Sequence, residues 1–155
     1  MGRDTLDYDY YLKVAEMYDT VDLTYTMPSS KSHRIGAIAE SRFVTKCLER
    51  DFEPHLPTTP MPWDFLVTCP AGVLKVQIKS TTHKNSANTY VVNCRSNKNL
   101  MCDTIDVVGC YLIPEDTWWM IPRKEIKGLT LKLNILPNSK SKHKKYQENW
   151  SIFYE

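Results

Sequence analysis

Asp64, Gln77 and Lys79 are the residues of this chain whose types and spacing could do chemistry. They lie in Pro62-Trp63-Asp64-Phe65-Leu66-Val67 and Val76-Gln77-Ile78-Lys79-Ser80. An acid, an amide and an ammonium in this order suit a hard divalent cation, a held water and a phosphate. Residues two apart on a strand share a face, so Gln77 and Lys79 can converge on whatever Asp64 holds. Glu40, upstream, can add a second carboxylate, and the main-chain carbonyl of Ile78 a third oxygen. Phosphodiester hydrolysis needs charge neutralised on the phosphoryl oxygens, an activated water and a stabilised leaving alkoxide. Asp64, Glu40 and the Ile78 carbonyl would serve as ligands to Mg²⁺, and Lys79 would hold the water and offset phosphate charge. Gln77 stands where a second carboxylate would help most, and its amide oxygen is an uncharged, weaker ligand. The plainer alternative is that Asp64 caps a strand and Lys79 faces solvent.

These residues need a helix and a hairpin to bring them together. Ile35, Ile38, Ala39, Phe43, Cys47 and Leu48 fall on one helical face, which predicts a helix from Ser32 to about Arg50 with Glu40 beside its apolar stripe. Trp63–Cys69 and Val73–Ser80 are β-rich runs joined by Pro70-Ala71-Gly72, which predicts an antiparallel hairpin. A short edge strand limited by Pro54, Pro57 and Pro60 is expected over 53–59, and a strand after the polar loop 81–88 over 89–95. Residues 96–102 read as a short helix or loop. Thr104–Ile113 reads as a buried strand, Thr117–Ile121 as its hairpin partner, and Pro122 as the start of a helical turn through Lys127. Trp118 and Trp119 are expected to pack on the core or on another subunit. Residues 4–19 have helical spacing as well. The expected class is α/β with a mixed central sheet flanked by helices. The whole chain reads as one domain: an N-terminal helical extension over 1–31, a core over 32–127 and a C-terminal segment over 128–155, basic at Lys140–Lys145 and then aromatic.

The net charge of +2 hides an asymmetry. Residues 1–30 hold two basic and six acidic side chains; the remainder holds 18 basic against 12 acidic. No Asp or Glu lies between Asp64 and Asp103, whereas Lys75, Lys79, His83, Lys84, Arg95 and Lys98 do. Such a stretch suits a polyanion, with a solvated basic face as the alternative. The five cysteines are scattered and never spaced Cys-x-x-Cys, so reduced thiols are expected and a zinc site is not. No apolar run approaches the ~20 residues of a membrane span, and Met1–Asp7 lacks the basic-then-apolar order of a secretory leader. The expected location is cytoplasmic. With five glycines, no phosphate-cradling loop is present, nor any nucleophilic triad.

A helical Glu40, the Pro62-x-Asp64 strand tip and Gln77-Ile78-Lys79 together resemble the PD-(D/E)XK nuclease superfamily. Ile35-Gly36-Ala37-Ile38-Ala39-Glu40, Asp106-Val107-Val108, Ile121-Pro122 and Tyr146-x-x-x-Trp150 are similar to it too. The departure is Gln77, where the pattern has an acid; a Gln there is similar to group I intron homing endonucleases of this type. The resemblance implies a restriction-endonuclease-like core and a catalytic set of Glu40, Asp64, Gln77 and Lys79. It also implies Mg²⁺, for which Mn²⁺ can substitute, held by Asp64, Glu40 and Ile78. Double-stranded DNA would be the partner, in a prokaryotic or phage-infected cell, cut by a homo-oligomer, dimer or tetramer, because duplex cleavage takes two sites. Contacts to DNA are expected from Arg34 at the helix start and from Ser80, Thr82, His83 and Lys84, which continue the catalytic strand outward. Asn93 and Arg95, expected on one strand face, suit adenine and guanine edges, and Lys98 the backbone. A junction-resolvase-like or restriction-type nuclease, and a non-catalytic DNA-binding module of the same fold, are the alternatives.

Overall fold

The apolar stripe forms a helix, α1 (Lys31–Leu48), in a computed structural model that describes residues 30–155. The helix expected over 4–19 lies outside the described residues. Ala39, Phe43 and Cys47 are buried, while Leu48 is 54% exposed, contrary to expectation, because the helix ends there. The ending has a physical cause. Asp51 takes a left-handed conformation, Phe52 N–H reaches back to the Cys47 carbonyl and Asp51 N–H to that of Leu48, and Phe52 turns into the core.

Five strands make the central sheet: β1 (Glu53–His55), β2 (Phe65–Cys69), β3 (Gly72–Thr81), β8 (Val107–Leu112) and β9 (Thr117–Pro122), in the order β1-β2-β3-β8-β9. The β2–β3 hairpin forms as expected, with Pro70 pre-setting its turn and Gly72, at φ 116°, closing it. Strand β8 lies parallel to β3 and the other neighbours are antiparallel, so the sheet is mixed. A three-stranded sheet, β10-β5-β4, is built from β4 (Lys84–Ser86), β5 (Thr89–Asn93) and β10 (Thr130–Asn134). Arg95, expected to end the preceding strand, and the start of 96–102, expected as helix or loop, form a small hairpin of β6 (Arg95–Ser96) and β7 (Asn99–Leu100) around Asn97, whose φ is 57°. Arg95 therefore stands outside β5 and does not share a strand with Asn93. The turn after Pro122 is a 3₁₀ turn over Arg123–Glu125.

Each face of the sheet has its own core. On one face Ala39, Phe43 and Cys47 of α1 pack with Phe65, Val76, Ile78, Trp118, Trp150 and Phe153. Trp150 stacks on Phe43 and Phe153 on Phe52, so the aromatic tail is part of the core under the helix. On the other face Tyr90, Val92, Leu131 and Leu133 of the small sheet pack with Val108, Cys110, Trp119 and Ile121. One helix thus covers one face and a second sheet the other, among the described residues. Trp118 and Trp119 are both buried within the chain, one on each face, as alternation on β9 requires. All five cysteines are free thiols, Cys47, Cys94 and Cys110 buried. Residues 31–155 form one compact unit that includes β10 and the tail. No described helix is long and apolar enough to cross a membrane.

Candidate active site

Alternation along β3 divides its side chains. Val76 and Ile78 are buried against α1, while Gln77 and Lys79 are half-buried on the opposite face. Asp64 sits just before β2 and opposite Gln77, held there by its N–H to the Val76 carbonyl at 2.9 Å. Its Oδ2 accepts from Ile78 N–H at 2.7 Å and from Gln77 Nε2 at 2.8 Å. The same Gln77 amide lies 3.4 Å from the Ile78 carbonyl oxygen. A single donor group therefore bridges the two oxygens that would serve as ligands. Gly109 lies across from Ile78 on β8, and a Cβ there would come within 2.9 Å of Ile78 Cδ1. Glycine at this position leaves the Ile78 side chain its room.

Glu40 is half-buried on α1, next to buried Ala39. Burial, reinforced by the negative charge of Asp64, holds its carboxyl above the ordinary value. Burial also raises Asp64; the Ile78 N–H, the Lys79 charge and the Gln77 amide pull it back without cancelling that rise. Two neighbouring acids that each resist ionisation favour a cation between them. Among the described residues no three His, Cys, Asp or Glu side chains cluster as a metal site. The groups that could hold a cation here are instead two carboxylates and a main-chain carbonyl, with Gln77 beside them. These are hard oxygen donors, few in number, as Mg²⁺ or Mn²⁺ prefers.

Lys79 Nζ donates to the main-chain carbonyl of Arg95 at 3.2 Å. This partner carries no sequence signal, because any residue supplies a carbonyl. Of the expected DNA contacts, Thr82, His83, Lys84, Asn93, Arg95 and Lys98 are exposed, and Ser80 and Arg34 are half-buried. Arg34 lies in the first turn of α1. Lys84 is also 3.7 Å from Glu115 and lies over the Tyr90 ring, and Asn93 Oδ1 accepts from Arg95 N–H at 2.9 Å. Ser80, Lys79, Arg95 and Lys98 belong to β3 and the β6–β7 hairpin, which the Lys79–Arg95 bond joins directly.

Comparison with solved structures finds a bacterial homing endonuclease, I-Ssp6803I, with a TM-score of 0.68 and 22% identity, over 83% of this chain and 93% of that one. At that identity the likeness establishes the fold, an α/β restriction-endonuclease-like core. No curated protein sequence matches the chain. The profile of the PD-(D/E)XK endonuclease family matches residues 30–153, a span that holds Glu40, Asp64, Gln77 and Lys79. By that match, over most of its length, the chain belongs to the PD-(D/E)XK endonuclease family.

Proposed function

We propose that this endonuclease is a Mg²⁺-dependent, site-specific enzyme of the homing type that hydrolyses phosphodiester bonds in double-stranded DNA. The observation that carries the reading is the gathering of Gln77, Ile78 and Glu40 around Asp64, with both acids raised by burial and Glu40 also by the Asp64 charge. Asp64, Glu40 and the Ile78 carbonyl would hold the ion. When bound, it would supply Lewis-acid neutralisation of phosphoryl charge and a more acidic water. Lys79 orients the attacking water by hydrogen bonding and sets a positive charge beside the phosphate. Gln77 keeps the Asp64 carboxylate pointed inward, and its amide, turned over, would present its oxygen at the same place as a further ligand. Arg34, Ser80, Thr82, His83, Lys84, Asn93, Arg95 and Lys98 would line the DNA, mostly through phosphate contacts. Two copies or four would cut both strands. The likeness in fold to a homing endonuclease and the Gln77 variant support the homing role over a resolvase or restriction role.

One observation favours a second reading, a DNA-binding module without cleavage: the position where the family pattern has an acid holds an uncharged amide already bonded to Asp64. A pool of randomised duplex DNA, incubated with the protein and Mg²⁺ or Mn²⁺ and sequenced at its cut ends, separates the two. Metal-dependent cuts clustered at one sequence are expected. Tight, salt-dependent binding with no cut under either metal would support the module instead.

A further inference from the structure

The catalytic lysine of the proposed site is tied to a backbone bend, and one side chain bonds within that bend. Lys79 Nζ donates to the Arg95 carbonyl at 3.2 Å, and Arg95 N–H donates to Asn93 Oδ1 at 2.9 Å. Between them Cys94 is buried and pinned from both sides: its N–H bonds the Leu129 carbonyl at 2.9 Å and its carbonyl accepts from Met101 N–H at 3.0 Å. The chain that leads into the Arg95 carbonyl is thus held, and Arg95 itself pairs with Leu100 across the β6–β7 hairpin, although Asn93 and Arg95 are themselves exposed. A lysine on a flexible stem has three donors. One spent on Arg95 restricts the ammonium and leaves two for water and phosphate.

We infer that Asn93 is a positioning residue: its side-chain oxygen holds the Cys94–Arg95 peptide through the Arg95 N–H, and the Arg95 carbonyl, on the peptide that follows, in turn aims Lys79 at the reacting phosphate. This deepens the cleavage reading and rests on it.

The test uses the full chain and two variants. Asn93→Ala lowers kcat about tenfold, the size expected when one positioning hydrogen bond is lost, with a smaller change in KM. Asn93→Asp, which keeps the acceptor oxygen, restores most of kcat while its added negative charge weakens DNA binding. Independently of cleavage, limiting amine acetylation read by mass spectrometry reports how firmly Lys79 is held. In Asn93→Ala its labelling rises several-fold relative to exposed Lys124, and in Asn93→Asp it returns toward the parent value. Unchanged Lys79 labelling in Asn93→Ala, or a KM effect and altered target preference with kcat intact, would overturn the inference. Cleavage at the parent rate by Asp64→Asn, or no cleavage by the parent chain, would overturn the enzyme reading, and the labelling comparison would still decide the tether.

Discussion

Asp64 and Asp106 make the same local bond in opposite neighbours of one strand. Each lies immediately before a strand that flanks β3, and each carboxylate accepts a β3 backbone N–H at 2.7 Å, Ile78 for Asp64 and Lys75 for Asp106. Asp106 also exchanges main-chain bonds, its N–H to the Lys75 carbonyl and its carbonyl from Arg123 N–H, both at 2.9 Å. It is exposed, however, and meets only main chain from β3. Asp64 is half-buried, takes a side-chain donor from Gln77, and stands close enough to Glu40 to raise it. One hydrogen bond therefore makes an anchor at one strand start and part of the proposed site at the other. Burial and a second acid make the difference, because desolvated like charges favour a cation, whereas a solvated lone carboxylate is already content with water and an N–H.

The largest expected effect is on cleavage. Asp64→Asn lowers the rate about a thousandfold or more, the scale of losing a charged group at a phosphoryl-transfer site, while Asp106→Asn stays within a few-fold of the parent. Equal losses in a plasmid-cutting assay would erase the distinction between the two acids. Gln77→Glu adds a third carboxylate to the Asp64 pair, so the ratio of Mg²⁺- to Mn²⁺-supported rates should shift; an unchanged ratio would place Gln77 away from the ion. Thermal melts extend the comparison to binding. Saturating Mg²⁺ or Mn²⁺, at about a hundred times Kd, stabilises the parent by about 2.7 kcal/mol, and Asp64→Asn, not Asp106→Asn, removes the shift.

Asp106→Ala should instead cost about 1–2 kcal/mol of stability, because it leaves the Lys75 N–H without its acceptor. Urea titration measures this, and a cost near zero would mean that water replaces the carboxylate. The smallest effect is a slope. Asp64 and Glu40 are both raised in the folded chain, so the unfolded chain releases these protons first. Metal-free stability is accordingly full below the ordinary carboxylate values and declines as pH rises through the raised ones. Asp64→Asn flattens that decline, as stability measured against pH would show; an unchanged slope would mean that the Asp64 carboxyl is not raised in the folded chain.

Much of the frame was legible in the residues. The 3.6-residue stripe located α1, and turn chemistry with alternation located the β2–β3 hairpin. The C-terminal side was less so. The expected 128–155 segment carries no strand, yet Thr130–Asn134 alternates exposed and buried residues and pairs with β5 along its whole length. Five residues hold too few periods to stand out beside a basic tail. The two-residue strands β6 and β7 hold none at all, and only their pairing around Asn97 defines them.

What the sequence by itself determined is the set of groups: an acid at a strand start, Gln77 and Lys79 on one face of the next strand, a helical Glu40 and an acid-free basic stretch. Local periodicity encodes these, since face and spacing along one element follow from backbone geometry. Only the tertiary structure decided which acid is buried beside another, that Gln77 bonds both Asp64 and the Ile78 carbonyl, and that Lys79 rests on Arg95. Those relations depend on the packing of α1, the parallel placement of β8 and the bend pinned at Cys94, all contacts between residues far apart in the chain. A main-chain carbonyl has no side-chain signature, so the partner of Lys79 could be found only where the fold brought it.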